Sequence, residues 1–166
     1  MGEALGRFTD LTHLSFGPTA SGQQEVARGK FADLIEGSAL KSAHFFSTPK
    51  VGTFLTIGAA TWSKYDMQLL DQIDDQLRNQ MHHRLTISVF DFDDCENSES
   101  FDERIPGIGE VLQSPAVGLW ADGKLTQTAT GFEARKLVER VVLAESMLQN
   151  FHSFQTTGQP EIATVN

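Results

Sequence analysis

Between Thr53 and Phe92 the hydrophobic period of the chain changes twice. Thr53 to Ala60 is a mostly apolar run of strand length. From Lys64 the spacing becomes helical, with Tyr65, Leu69, Leu70, Ile73, Leu77 and Met81 on one stripe and Asp71, Asp74, Asp75 and Arg78 on the other side. Leu85 to Phe92 is strand-like again. Two strands with a long helix between them pair in parallel through a right-handed crossover, because a tight hairpin cannot join parallel neighbours. This βαβ unit predicts an α/β fold, and the rest of the chain must be built around it.

Downstream, Asp91 to Asp102 is acidic, and Ile105-Pro106-Gly107-Ile108-Gly109 reads as a loop with a short helix up to Gln113. Ala116–Ala121 and Lys124–Thr130 flank Asp122-Gly123, a pair suited to a type I′ turn because both central residues take positive φ. A hairpin beside a parallel pair makes the expected sheet mixed. Glu133 to about Gln149 is a last helix, with Ala134, Leu137, Val138, Val141, Val142 and Leu148 on one side. Upstream, Thr12–Phe16 and Ala43–Ser47 read as short strands. Between them lies a helix opened by the Ser21/Gln24 capping box, carrying Ala27, Phe31, Leu34 and Ile35 and stopped at Gly37. The expected organisation is an N-terminal extension over residues 1–50, packed on a core over 51–149, and a flexible polar tail over 150–166.

The 166 residues suit one domain, and 40% hydrophobic content supplies a core. Thirteen Lys and Arg against 22 Asp and Glu leave a net charge of −9, which disfavours nucleic acid and anionic membranes and favours a basic partner. No apolar run approaches the ~18 residues of a bilayer span. Met1 to Gly6 lacks a basic-then-apolar leader, and Gly6 stands where a myristoylation signal wants Ser or Thr. A cytoplasmic protein is expected. Cys95 is the single cysteine, so neither an internal disulfide nor a Cys-rich zinc site can form.

The order strand, helix, strand, helix-like loop, Ser-Pro, hairpin, helix resembles the thioredoxin superfamily from about Thr53 to Leu143. Ala60-Thr61-Trp62-Ser63-Lys64-Tyr65-Asp66 is similar to the stretch in which that family places Trp before Cys-x-x-Cys. Phe90-Asp91-Phe92-Asp93 resembles the acidic end of the family's next strand. Ser114-Pro115 matches its cis-proline, with Asp122-Gly123-Lys124 and Gly131 following at the family's spacing. The resemblance implies a thioredoxin-like fold and a groove between Trp62 and Ser114 that receives an extended peptide by strand-like pairing.

The likeness stops at the chemistry. Dithiol exchange needs a low-pKa thiolate and a second thiol three residues on. Ser63 and Asp66 hold those positions, and Ile57 holds that of the family's buried carboxylate. The reading is therefore a redox-inactive protein without a cofactor or metal. It binds another protein or an extended peptide through Trp62, Ser63, Lys64, Tyr65, Ser114 and Pro115, as an adaptor, assembly factor or chaperone-like subunit. The competing class is an enzyme, either holding glutathione or a similar thiol ligand on Ser63 or using Cys95 as a one-cysteine peroxidatic group.

Each candidate also has a plainer reading. Ser63, with Asp66 three residues on, is a helix N-cap. Cys95, crowded by Asp91, Asp93, Asp94 and Glu96, is an inert thiol. Those carboxylates form a solvated capping loop rather than an EF-hand site, and His82-His83 project about 100° apart on a helix and do not converge on a metal. Gly107-x-Gly109 lacks the third glycine and the preceding strand of a dinucleotide fingerprint.

Overall fold

A computed structural model describes residues 6–9, 29, 31–38, 40, 51–78 and 85–157, with side chains as far as Leu148. Its elements are β1 (Thr53–Ala59), α1 (Lys64–Arg78), β2 (Thr86–Asp91), a 3-10 turn (Phe92–Asp94), α2 (Ser98–Arg104), β3 (Ala116–Ala121), β4 (Lys124–Thr130) and α3 (Gly131–Thr157). The sheet order is β2-β1-β3-β4. β1 runs parallel to β2, with Ile57 opposite Val89, while β3 is antiparallel to both β1 and β4. The mixed α/β sheet and the parallel crossover match the sequence reading.

Alternation along the strands divides the interior. Leu55, Ile57 and Ala59 of β1, with Ile87, Val89 and Val117, face the apolar stripes of α1 and α3, where Leu69, Leu70, Leu137 and Val138 are buried. On the opposite face Phe90 and Ala116 meet Cys95, Phe101 and Ile105. Gly58 sits in β1 opposite Phe90, and a Cβ there would stand 2.5 Å from the ring. The hairpin turns at Asp122 (φ 49°) and Gly123 (φ 80°), as a type I′ turn requires. A bulge between Leu119 and Trp120 offsets the last pairs of β3 and β4.

Part of the N-terminal segment joins the larger core: Phe8, Phe31, Ile35 and Leu40 are buried with α1. The backbone N–H groups of Phe8 and Thr9 donate to the two carboxylate oxygens of Asp71, at 2.9 and 3.0 Å. Residues 31–36 are helical and end in a turn at Gly37, where the sequence places the stop. The expected strands Thr12–Phe16 and Ala43–Ser47, the capping box at Ser21, and His82-His83 lie outside the described residues.

Four expectations are corrected. The short helix is α2, starting after Asn97, and not in the stretch up to Gln113; Asn97 and Ser100 exchange side-chain-to-backbone bonds in a capping box. The last helix begins at Gly131 and continues past Gln149 to Thr157, so residues 150–157 are helical where a tail was expected. Tyr65 is 65% exposed, whereas the helical spacing places it on the apolar stripe. Asp74, assigned to the solvent side, is buried and receives Arg78 Nε at 2.9 Å. At about 100° per residue, Asp66, Leu70 and Asp74 follow one another at four-residue steps along the same face, whereas Tyr65 lies well to its side.

Candidate functional site

β1 ends at Ala59, and Ala60-Thr61-Trp62 turn the chain into α1. Ser63 caps the helix: its Oγ accepts the N–H of Asp66 at 3.3 Å, while its carbonyl accepts the N–H of Met67 at 3.1 Å. The plain reading of Ser63 as a cap therefore holds, and its hydroxyl is engaged in starting the helix. The exposed indole of Trp62 is held from the other side, where its Nε1–H donates to Asp93 Oδ1 at 3.2 Å. Asp93 belongs to the 3-10 turn capped by Asp91, whose carboxylate accepts the Asp93 N–H at 3.0 Å. The acidic loop is thus used for capping and for orienting Trp62.

Two more segments close on this point. The Ser114–Pro115 peptide is cis, as the resemblance implies, and Pro115 leads directly into β3. The carbonyl of Pro115 accepts the N–H of Gly131 at 2.9 Å, which brings the start of α3 alongside. Gly131 has φ 60°, and its missing side chain leaves room for Gln113, whose Oε1 would stand 2.6 Å from a Cβ. Together these ends form a groove of about 380 Å³ whose walls include Trp62, Ser63, Asp66, Ser114, Phe132 and Arg135.

The structure brings Trp62, Ser63, Tyr65 and Ser114 together along this groove. Pro115 is buried directly behind Ser114, and Lys64 is exposed at the first residue of α1 without lining the groove. The sequence reading missed Asp66, Leu112, Phe132 and Arg135 as groove residues. A signal for Asp66 was present, since it lies four residues before Leu70 and three before Leu69, on the core side of the helix. Nothing local marks Phe132 or Arg135, which reach the groove only through the path of α3.

Asp66 alters the chemistry expected of the site. The sequence reading places no buried carboxylate here, because Ile57 fills the position where the family carries one. Ile57 is indeed buried, but Asp66 brings a carboxylate in from the helix side, 1% exposed. Its Oδ2 accepts the N–H of Ala60 at 2.9 Å. Burial pushes the Asp66 carboxyl above the ordinary aspartate range, and the bond from Ala60, the hydroxyls of Ser114 and Ser63 and the charge of Arg135 pull it part of the way back. The groove floor therefore carries a group that holds its proton more tightly than a surface aspartate does.

Cys95 is elsewhere. Its side chain is buried among Phe90, Phe101, Ile105 and Ala116, and its Sγ–H faces the Ser100 carbonyl at 3.6 Å. Burial raises the thiol pKa; Arg104 opposes the rise, while Asp94, Asp91 and Glu103 add to it. A raised pKa and lost access both slow thiolate chemistry. Modification of Cys95 by a neutral disulfide reagent at pH 7.5 is expected to be ~100-fold or more slower in the folded protein than in urea. Equal rates in the two states would restore Cys95 as a reactive group.

No helix among the described residues is long and apolar enough to cross a membrane. Compared with known proteins, the chain matches no family model and no curated sequence.

Proposed function

We propose that the chain is a redox-inactive, thioredoxin-like protein that binds another protein by laying an extended segment of it in the groove between Trp62 and Ser114, and that it serves as an adaptor, assembly factor or chaperone-like subunit. The observation that carries this reading is the distribution of exposed apolar side chains. Val51, Trp62, Tyr65, Leu112, Phe132, Leu143, Met147 and Leu148 are the large hydrophobics left exposed among the described residues, and four of them line this one groove: Trp62 at 58%, Tyr65 at 65%, Leu112 at 79% and Phe132 at 66%. Exposed apolar side chains gathered around one concavity mark an interaction site on a protein surface, and aromatic residues are the usual anchors.

Other features support the thioredoxin-like part of the reading. The element order, the sheet order β2-β1-β3-β4, the cis Ser114–Pro115 bond and its position opposite the start of α1 all agree with the resemblance. Chemistry supports the redox-inactive part, because the chain's single thiol is buried away from the groove and no second one exists to resolve a mixed disulfide. Ser63, the candidate thiol-ligand hydroxyl, is occupied as a cap.

The test compares partners retained by the wild-type protein, by Trp62→Ala, by Phe132→Ala, and by Leu148→Ala on the distal part of α3. A discrete partner is expected to bind about 30-fold more weakly to each groove variant, the size of an interface hot spot, and normally to the α3 variant. A partner set indifferent to both groove substitutions would remove the basis for the proposal. With a net charge of −9, the partner is expected to be basic overall and to associate more slowly as salt is raised.

A further inference from the structure

Among the described residues that line the groove, two carry charge, Asp66 and Arg135. Arg135 projects from the first turns of α3, and its guanidinium carbon stands 5.3 Å from the centre of the Tyr65 ring. Its Nε is shut off from solvent, and among the described residues no group accepts its hydrogen. No carboxylate of the described residues lies within ion-pair distance of it. Asp66 acts on it only through its charge, and burial favours the neutral form of that carboxyl. Arg135 lines the groove, and a guanidinium with no carboxylate of the described residues at ion-pair distance leaves its other N–H donors to an acceptor from outside. Across from Arg135, Ser114 is half-buried, and its backbone N–H and C=O make no hydrogen bond with the described residues.

We propose that the groove selects an extended peptide carrying a carboxylate, which pairs with the Arg135 guanidinium while the peptide backbone runs past Ser114 and its apolar side chains meet Trp62, Tyr65, Leu112 and Phe132. The cation–π contact with Tyr65 helps to hold the guanidinium in place, and its planar fork suits a two-oxygen acceptor in a way that lysine does not. The partner's overall basic character and its local carboxylate are compatible. The field of the whole protein governs approach over a Debye length, whereas a desolvated pair at contact governs which segment stays bound. Because the segment runs on past Ser114, the carboxylate is that of an Asp or Glu side chain within it. This inference rests on the groove being the binding face.

An array of N-acetylated random heptapeptides, each printed once as the free acid and once as the C-terminal amide, separates a side-chain carboxylate from a C-terminal one. It is probed with the wild-type protein and with Trp62→Ala, Arg135→Gln and Arg135→Lys, after each variant's thermal unfolding confirms that it is folded. Wild type is expected to bind a set that depends on Trp62 and is enriched in Asp or Glu at one fixed position, in free acids and amides alike; an enrichment confined to free acids would overturn the side-chain carboxylate. Arg135→Gln should weaken those peptides about tenfold or more and erase the enrichment, while Arg135→Lys keeps only part of it. A Trp62-dependent set without carboxylate enrichment, or an enrichment that survives Arg135→Gln, overturns the role of Arg135 and leaves the groove reading standing. A bound set indifferent to Trp62, or none at all, overturns both.

Discussion

Asp66→Asn is expected to make the protein more stable at pH 7 and above, by about 1–3 kcal/mol, and to change little near pH 3. The carboxyl is buried at the foot of α1, and its pKa lies above the unfolded value because burial penalises the charged form. The folded state therefore holds this proton more tightly than the unfolded chain does. The corresponding stability is fully present below the unfolded pKa near 3.8 and is lost as the pH rises through the folded pKa. Asparagine removes the charge and keeps an oxygen to accept the Ala60 N–H, while its amide can donate to the Ser63 or Ser114 hydroxyl.

Urea unfolding of the wild type and Asp66→Asn at several pH values between 3 and 8 isolates this residue, since the other titrating groups cancel in the difference. The advantage of the variant should grow with pH. Asp66→Ala is expected to lack the gain, because it leaves the buried N–H of Ala60 without its acceptor. A constant difference across the pH range would mean that folding leaves the carboxyl's pKa unchanged, and an asparagine variant that loses ground as the pH rises would mean that the carboxylate is stabilised in its charged form.

The second large effect is steric. Gly58→Ala is expected to destabilise the fold by about 1–3 kcal/mol, although alanine ordinarily suits a strand better than glycine does. The added Cβ would stand 2.5 Å from Phe90 Cζ and 2.6 Å from Cε2. The ring has little freedom to move: it is buried, the Arg104 guanidinium lies over it at 4.9 Å, and the Phe101 ring packs beside it at 6.5 Å between centroids. The clash should be relieved by a smaller neighbour. In Gly58→Ala/Phe90→Leu the two losses are expected to be less than additive, by about 1 kcal/mol or more in a double-mutant cycle. Simple additivity would show that Gly58 is tolerant and that β1 can shift away from β2 at that point.

Both residues mark the limits of reading along the chain. Gly58 lies in a run legible as a strand, but the need for glycine comes from Phe90, thirty-two residues away and opposite it only once β1 and β2 are in register. Residue type alone makes Asp66 the stand-in for a missing cysteine and Asp74 solvent-facing, because charged residues are usually outside. Their spacing from Leu70 puts both on the buried face, so in this case position outweighed residue type. The capping box at Asn97–Ser100 was also legible, yet the neighbouring glycines and proline drew the expected helix downstream of its actual place.

Periodicity and turn chemistry are local, so the chain by itself determined the βαβ unit, the type I′ hairpin at Asp122-Gly123 and the cap at Ser63. Its single cysteine likewise leaves no pair of thiols within this sequence, which needs no coordinates to see. What the tertiary structure decided is the character of the groove. Residues 62–66, 112–115 and 131–135 are distant in sequence and meet only because β1 and β4 end, and β3 and α3 begin, at the same end of the sheet. Burial of Asp66 and the unanswered Nε of Arg135 depend on which neighbours arrive there and which do not. The energy of a charge or a hydrogen-bond donor is set by its surroundings, and for these two residues the surroundings come from the folded chain rather than from the residues beside them in sequence.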